Sequence, residues 1–120
     1  MNEMESHRSM LVRIAEFGEP VPVLQSGIRK FAPDFAGKPV ILEWSNVTNA
    51  MRRFISGEVT SAELTAWAEL VTGRSGIEYA SEEEAVIEDV LFRLSTPEIN
   101  QPVTVDLCAR LMDQHRSIAD

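Results

Sequence analysis

Residues 60–73, TSAELTAWAELVTG, form the segment whose structure is most clearly encoded in this chain. The Thr60 hydroxyl can cap a helix, and Glu63, three residues later, can bond back to the amide of the cap, as in a capping box. Gly73 can supply the left-handed residue that commonly ends a helix. The apolar residues between these signals have the spacing of one helical face: Leu64, Trp67, Ala68 and Val71. The segment therefore predicts an amphipathic helix.

Two more helices are predicted on the amino-terminal side of this segment. The first runs from about Ser9 to Phe17, where Gly18 can end it. The second begins after Pro39 and ends at Gly57. Its predicted inward face is Ile41, Trp44, Val47 or Thr48, Met51, Phe54 and Ile55. Helical spacing therefore places Trp44 of this helix, like Trp67 of the helix at residues 60–73, in the core.

Residues 18–39, which precede the second of these helices, have a different composition. They contain four of the six prolines and three of the six glycines of the chain. Since their apolar residues follow no sustained period, they predict an ordered loop that lies across the helices. A short edge strand at Val21–Leu24 is the alternative, and Pro22 counts against it.

Two further helices are predicted towards the carboxyl terminus. Ser81 and Glu84 repeat the capping-box spacing at the start of a helix that ends near Ser95. Its inward stripe is Ile87, Val90, Leu91 and Leu94. The last helix has Thr104 as its expected cap. Its predicted buried side is Leu107, Cys108, Leu111, Met112, His115 and Ile118.

These elements predict an all-α fold, a single-domain bundle of about five helices. Residues 1–120 form one helical domain, with a less regular, proline-containing segment at 1–39 and a helical core at 40–120. A chain of 120 residues with 44% hydrophobic residues can bury a core of its own. The start, MNEMESHRSM, alternates acids with bases and predicts neither a signal peptide nor a membrane anchor. A lone cysteine, Cys108, fits a reducing compartment, so the predicted location is the cytoplasm.

The formal charge of −8 comes from one part of the chain. Residues 58–89 hold nine acids and one base, Arg74, whereas the flanking segments carry +1 and −1. Such a field favours a basic protein partner and repels nucleic acid and anionic lipid. Acids in the first turn of a helix also stabilise that helix, but here no lysine follows at the i+4 spacing, which favours an outward role. The residues predicted to contact a partner are Glu78, Tyr79, Glu82, Glu83, Glu84, Glu88 and Asp89.

Motifs for catalysis or cofactor binding are missing from the sequence. No Glu-x-x-His or His-x-x-x-His spacing predicts a metal site, and the glycines match no phosphate-binding loop. Cys108 and His115 share one helical face, but two turns separate them by about 10 Å, too far for a direct hydrogen bond. His7 lies near the terminus without a partner in sequence. We therefore predict no catalytic residue, no metal and no cofactor, and a protein that is not an enzyme.

One block of the sequence consists of Phe54, Gly57, Thr60, Ala62, Glu63, Leu64, Trp67, Ala68, Arg74, Ile77, Glu78, Tyr79, Asp89, Val90, Leu91, Phe92, Leu94, Pro97, Glu98, Ile99, Asn100 and Pro102. These residues resemble small bacterial immunity-like proteins, loosely the colicin-type and polymorphic-toxin immunity class. They cover roughly half of the chain and are mostly structural signals. The SEEE start at residues 81–84 is similar to the acidic helix of the DNase-colicin immunity proteins. Their adjacent tyrosine pair is absent, since Tyr79 is the only tyrosine, which leaves the looser class.

The resemblance implies a cytoplasmic, acidic, helical protein that blocks a cognate toxin domain, frequently a basic nuclease. A regulatory or adaptor domain is the alternative, in which a groove between helices binds a basic or apolar helix. The five methionines and a lid formed by residues 18–39 support that alternative. A homodimer and a small enzyme of a type that sequence order does not reveal also remain open.

Overall fold

A short parallel sheet interrupts a structure that is otherwise helical. The computed structural model describes residues 2–115. Its elements are α1 (Glu3–Ala15), α2 (Val21–Ile28), β1 (Val40–Leu42), α3 (Trp44–Ile55), α4 (Ser61–Val71), β2 (Ile77–Tyr79), α5 (Glu84–Ser95) and α6 (Val105–Gln114). The prediction of a mainly helical chain is confirmed. The described residues contain six helices instead of about five, together with two strands that the prediction lacked.

Helix α4 begins and ends as its sequence predicts. The Thr60 amide donates to Glu63 Oε1 at 2.9 Å, and the Glu63 amide donates to Thr60 Oγ1 at 3.1 Å, which completes the capping box. Beyond the helix, Gly73 has a φ of +68°, the left-handed conformation that glycine adopts without steric cost. Local signals are therefore sufficient to define this helix.

The amino-terminal segment is more helical than predicted. Helix α1 begins at Glu3 instead of Ser9, because Asn2 acts as its cap and accepts a 2.8 Å hydrogen bond from the Glu5 amide. Both the loop and the edge strand predicted around Val21–Leu24 are wrong, since this stretch forms α2. Pro22 lies in the first turn of α2, where a helix needs no backbone N–H donor.

The predicted helix after Pro39 begins later than expected. Residues Val40–Leu42 form β1 and pair in parallel with β2, so that Val40 faces Ile77 and Leu42 faces Tyr79. Ile41, predicted on the buried face of a helix, is 49% exposed. In only three residues, the alternation of buried and exposed side chains in a strand cannot be distinguished from the spacing of a helix. This explains why the helix was predicted to begin too early.

A close approach between the amino terminus and the sheet depends on Gly76. This glycine has a φ of +92°, and a β-carbon placed on it would lie 2.5 Å from Leu11 Cδ1 and 2.9 Å from Phe35 Cδ2. Any side chain here would collide with the buried face of α1. Gly76 therefore permits both the turn before β2 and the packing of β2 against the amino-terminal helix.

The helices share one hydrophobic core, in which both tryptophans are buried as predicted. Trp44 and Trp67 are 1% and 0% exposed. On the predicted buried side of α6, Leu107, Cys108 and Leu111 are buried, whereas Met112 and His115 are half-buried. The remaining predicted position, Ile118, lies outside the described residues. Within residues 2–115, no helix combines the length and the apolar character needed to cross a membrane.

Candidate protein-binding surface

The segment that carries most of the predicted contact residues runs from β2 into α5. The Ala80 amide donates to Leu42 O at 2.9 Å and extends the pairing of the two strands by one residue. The chain then turns, and α5 begins at Glu84 instead of at the predicted cap, Ser81. The expected capping box does not form, because residues 81–83 occupy the turn and Ile87 donates to the Glu83 carbonyl at 2.9 Å.

Glu83 has a structural partner within the protein. Its Oε1 atom accepts a 2.9 Å hydrogen bond from the amide of Trp44, the first residue of α3. The first amides of a helix have no partner inside that helix, so a carboxylate at this position satisfies one of them and also favours the positive end of the helix dipole. One of the predicted contact residues therefore connects the turn before α5 to the start of α3.

We expect Glu83→Ala to lower the free energy of unfolding by about 1 kcal/mol, because the Trp44 amide would lose its partner. Urea denaturation measures the change. Glu82→Ala is the matched control, since it removes the same charge from an exposed side chain with no hydrogen bond or ion pair in the described structure. Its effect should stay within about 0.5 kcal/mol. Equal midpoints for the two variants would show that Glu83 does not stabilise α3.

A cleft of about 400 Å³ lies where the loop after α4, β2 and the start of α5 meet. Its lining residues are Gly73, Ile77, Glu78, Tyr79, Ser81 and Glu84. Two of them are carboxylates, and neither has a cationic partner among residues 2–115. We call this feature the acidic cleft. Because no cation lines it in the described structure, it has an uncompensated negative potential.

The Tyr79 side chain lines the acidic cleft and is held in place by hydrogen bonds. Burial raises the pKa of its phenol and the nearby charge of Glu88 raises it further, while hydrogen bonds with the Gly73 backbone and the Thr72 side chain act in the opposite direction. The phenol therefore stays protonated at neutral pH. Since its hydroxyl already has partners on the loop after α4, Tyr79 can offer the face and edge of its ring to a ligand.

The remaining predicted contact residues lie in three different surroundings. Glu88 is exposed four residues after Glu84, on the same face of α5. Glu82 and Glu83 line a neighbouring recess of about 490 Å³ that also contains Arg52. Asp89 forms an ion pair with Arg93 at 3.1 Å, so this acid does have a base at the i+4 position. The structure thus gathers Glu78, Tyr79, Glu84 and Glu88, and it places the other three predicted residues elsewhere.

The Cys108 and His115 side chains lie apart along α6, and each has different surroundings. Cys108 is fully buried, and burial raises the pKa of its thiol to about 11. The thiol is therefore protonated and a poor nucleophile near neutral pH. His115 packs with its ring edge against Trp44 at a centroid distance of 5.6 Å. In residues 2–115 no group of three or more histidine, cysteine or acidic side chains is placed to hold a metal ion.

His7 is the residue whose surroundings the sequence analysis missed. It is 7% exposed, and its ring stacks on Phe31 at 4.7 Å and meets Phe35 edge-on at 4.8 Å. A signal was present in the sequence, because His7 lies three and four residues before the apolar pair Met10 and Leu11, on the buried face of α1.

Comparisons of the chain with protein-family models, with curated proteins and with solved structures found no match. The interpretation of this surface rests on its own geometry.

Proposed function

We propose that this protein is a non-enzymatic binding protein whose acidic cleft receives a basic side chain of a protein partner. The observation that supports this most directly is the composition of the cleft, which Glu78, Tyr79 and Glu84 line together and whose described lining residues include no cation. A lysine or arginine that enters such a cleft can form charge-assisted hydrogen bonds with the two carboxylates. Its apolar stem can cover Ile77 and the Tyr79 ring, and its charge can interact with the ring face.

The wider charge distribution supports the same kind of partner. The acids of residues 58–89 give this part of the chain a net charge of −8. A field of this sign raises the rate at which a basic surface reaches the cleft and repels nucleic acid. Contact at the cleft then supplies affinity, since a few well-packed groups dominate most protein interfaces.

Within this class, an immunity-type protein that acts in the cytoplasm is the form that we favour. The partner would be a toxin domain with a basic surface, and its neutralisation would be by blockade. The support for this finer proposal is the sequence resemblance described above together with the acidic cleft. Glu78, Glu84 and Glu88 would contact the basic surface, and Tyr79 would be the aromatic residue at its centre.

The adaptor alternative has less support from the packing. Met10 and Met51 are buried in the core, and α2 contributes the fully buried Leu24 from the segment that was considered as a lid. Homodimerisation remains the second candidate, because the apolar side chains of Phe92, Ile99 and Val105 are 48%, 69% and 47% exposed near α5 and α6.

Capture of partner proteins on the immobilised chain, followed by elution with increasing salt, tests whether the partner binds mainly through charge. We expect a basic protein that is bound at low salt and released as sodium chloride reaches about 0.5 M, where the screening length falls to about 4 Å. A protein that stays bound at this salt concentration would indicate the apolar groove of an adaptor. Recovery of the chain alone would contradict the proposed function and favour the homodimer.

A further inference from the structure

A second cleft, of about 460 Å³, lies between the amino-terminal helices and the end of α4. Its polar lining residues are His7, Gln25, Arg29, Glu69, Arg74 and Ser75. The other lining residues are apolar, among them Ile28, Phe31 and Leu70. We call it the amino-terminal cleft. Its size and its mixture of apolar walls with a few polar groups are those of small-molecule sites.

The His7 imidazole is a polar group of this cleft that lacks a hydrogen-bond partner. More than nine-tenths of the residue is buried, and the two phenylalanine rings that contact it offer no hydrogen bond to its nitrogens. Within residues 2–115 no hydrogen bond to either ring nitrogen is present. The imidazole nitrogens are not fully buried, so they keep a hydrogen-bonding capacity that a molecule bound in the cleft can use.

The amino-terminal cleft has a net positive lining, whereas the protein as a whole carries a net charge of −8. Arg74 donates through Nε to Leu70 O at 2.7 Å, and its other guanidinium nitrogens have no partner in the described structure. The Arg29 side chain likewise has no hydrogen bond or ion pair within residues 2–115. Among the described lining residues, Glu69 is the only acid, and it forms no ion pair with either arginine. Two cations against one anion favour a ligand with a single negative charge.

We propose that the amino-terminal cleft binds a small organic acid, namely a carboxylate attached to an apolar or aromatic body. The planar guanidinium of Arg29 matches the two oxygens of a carboxylate, and Arg74 lines the same cleft. His7 can hydrogen-bond the same group or a neighbouring polar atom of the ligand. Phe31, Ile28 and Leu70 supply the apolar wall. This site is separate from the acidic cleft, and it does not depend on the function proposed for that cleft.

The probe for this proposal is 3-phenylpropionate, and its uncharged amide, 3-phenylpropionamide, is the matched control ligand. Titration of the ¹⁵N-labelled protein should shift the amide signals of residues that line the amino-terminal cleft. The expected dissociation constant is about 1 mM, as ordinary ligand efficiency implies for a molecule of this size. The amide should bind about tenfold more weakly, because it cannot pair with the guanidinium groups.

Arg29→Gln should weaken binding of 3-phenylpropionate about tenfold without disturbing the fold, since the side chain is exposed. Lys30→Gln removes the same charge from the next residue, which does not line the cleft, and should leave binding unchanged. The proposal is overturned if the probe shifts no cleft signals. It is also overturned if the amide binds as well as the acid, or if the two variants behave alike.

Discussion

Trp67→Ala is expected to lower the free energy of unfolding by about 4 kcal/mol. The side chain is fully buried, and its ring stacks on Phe17 at 5.4 Å with an angle of 2° between the planes. The indole Nε1 also donates to Ile14 O at 2.8 Å, near the end of α1. The substitution therefore removes a large buried surface, one buried hydrogen bond and a contact between α4 and the end of α1.

The end of α1 makes this position especially sensitive. The sequence analysis expected Gly18 to stop the helix, but the residue with positive φ is Phe17, at +52°. The Phe17 amide donates to Ile14 O at 3.1 Å and the Gly18 amide donates to Arg13 O at 3.0 Å, as in a Schellman motif. A bulky residue in this conformation is strained and persists only where its surroundings hold it.

Trp67 supplies one side of these surroundings, and Arg53 supplies the other. The Arg53 guanidinium lies 4.6 Å from the centroid of the Phe17 ring and donates to Phe17 O at 2.6 Å. Removing the Trp67 ring leaves the strained residue with only one of these supports. The expected loss of about 4 kcal/mol lies within the range for truncation of a buried tryptophan.

Two conservative variants separate packing from hydrogen bonding. Trp67→Phe keeps an aromatic ring but loses the bond to Ile14 O, and should cost about 2 kcal/mol. Trp44→Phe is the control, because Trp44 Nε1 is buried without a hydrogen-bond partner in the described chain and no bond is lost. Urea denaturation followed by circular dichroism gives all three values. If Trp67→Ala costs no more than Trp44→Phe, the stack on Phe17 does not hold the fold together.

The second large effect concerns binding. Glu78→Lys, Glu84→Lys and Glu88→Lys, combined in one variant, should lower the association rate constant for a basic protein partner about 100-fold at low salt. The three side chains are exposed, so the fold should survive the change. The variant should also lose most of the salt dependence of association, because the attractive field at the cleft is gone. Surface plasmon resonance at two salt concentrations measures both effects.

A control variant with the same change in net charge distinguishes the cleft from the charge of the whole molecule. Glu16→Lys, Asp34→Lys and Glu98→Lys reverse three exposed acids that lie outside the acidic cleft. At about 0.1 M salt, this control should associate within about threefold of the unmodified protein, because salt at that concentration screens charges farther away than about 10 Å. Equal losses for the two variants would mean that net charge alone, and not the acidic cleft, governs association.

The parts of the fold that sequence analysis predicted correctly depend on neighbouring residues. The capping box of Thr60 and Glu63 and the left-handed Gly73 each involve a few consecutive positions, so the sequence is enough to identify them. The same holds for the burial of Trp44 and Trp67, which follows from helical spacing.

The parts that were missed depend on contacts between distant residues. Strand β1 exists because Val40–Leu42 pairs with β2, whose residues lie more than thirty positions later. Ser81 loses its expected role as a cap because the Ala80 amide bonds to Leu42 O and the turn follows at once. None of these partners can be found from a local pattern.

For the candidate site, too, the sequence identifies the acidic residues 58–89 but not their contacts in the fold. Charge composition identified the segment, but it treated the acids as one patch. The fold assigns Glu83 to the start of α3 and Asp89 to Arg93, and it leaves Glu78, Glu84 and Glu88 around Tyr79. The role of Glu83 depends on where α3 lies, which no pattern within residues 78–89 reveals, whereas the pair of Asp89 with Arg93 follows from the local i+4 spacing.

The central claim, that a basic partner binds at the acidic cleft, is tested most directly by mapping the contact on the protein itself. The ¹⁵N-labelled chain would be titrated with the basic protein recovered by salt elution, and the amide signals would be followed by NMR. We predict that the largest changes fall on residues 77–79 and 84–88. Large changes elsewhere, with the signals of these two segments unmoved, would contradict the proposed site.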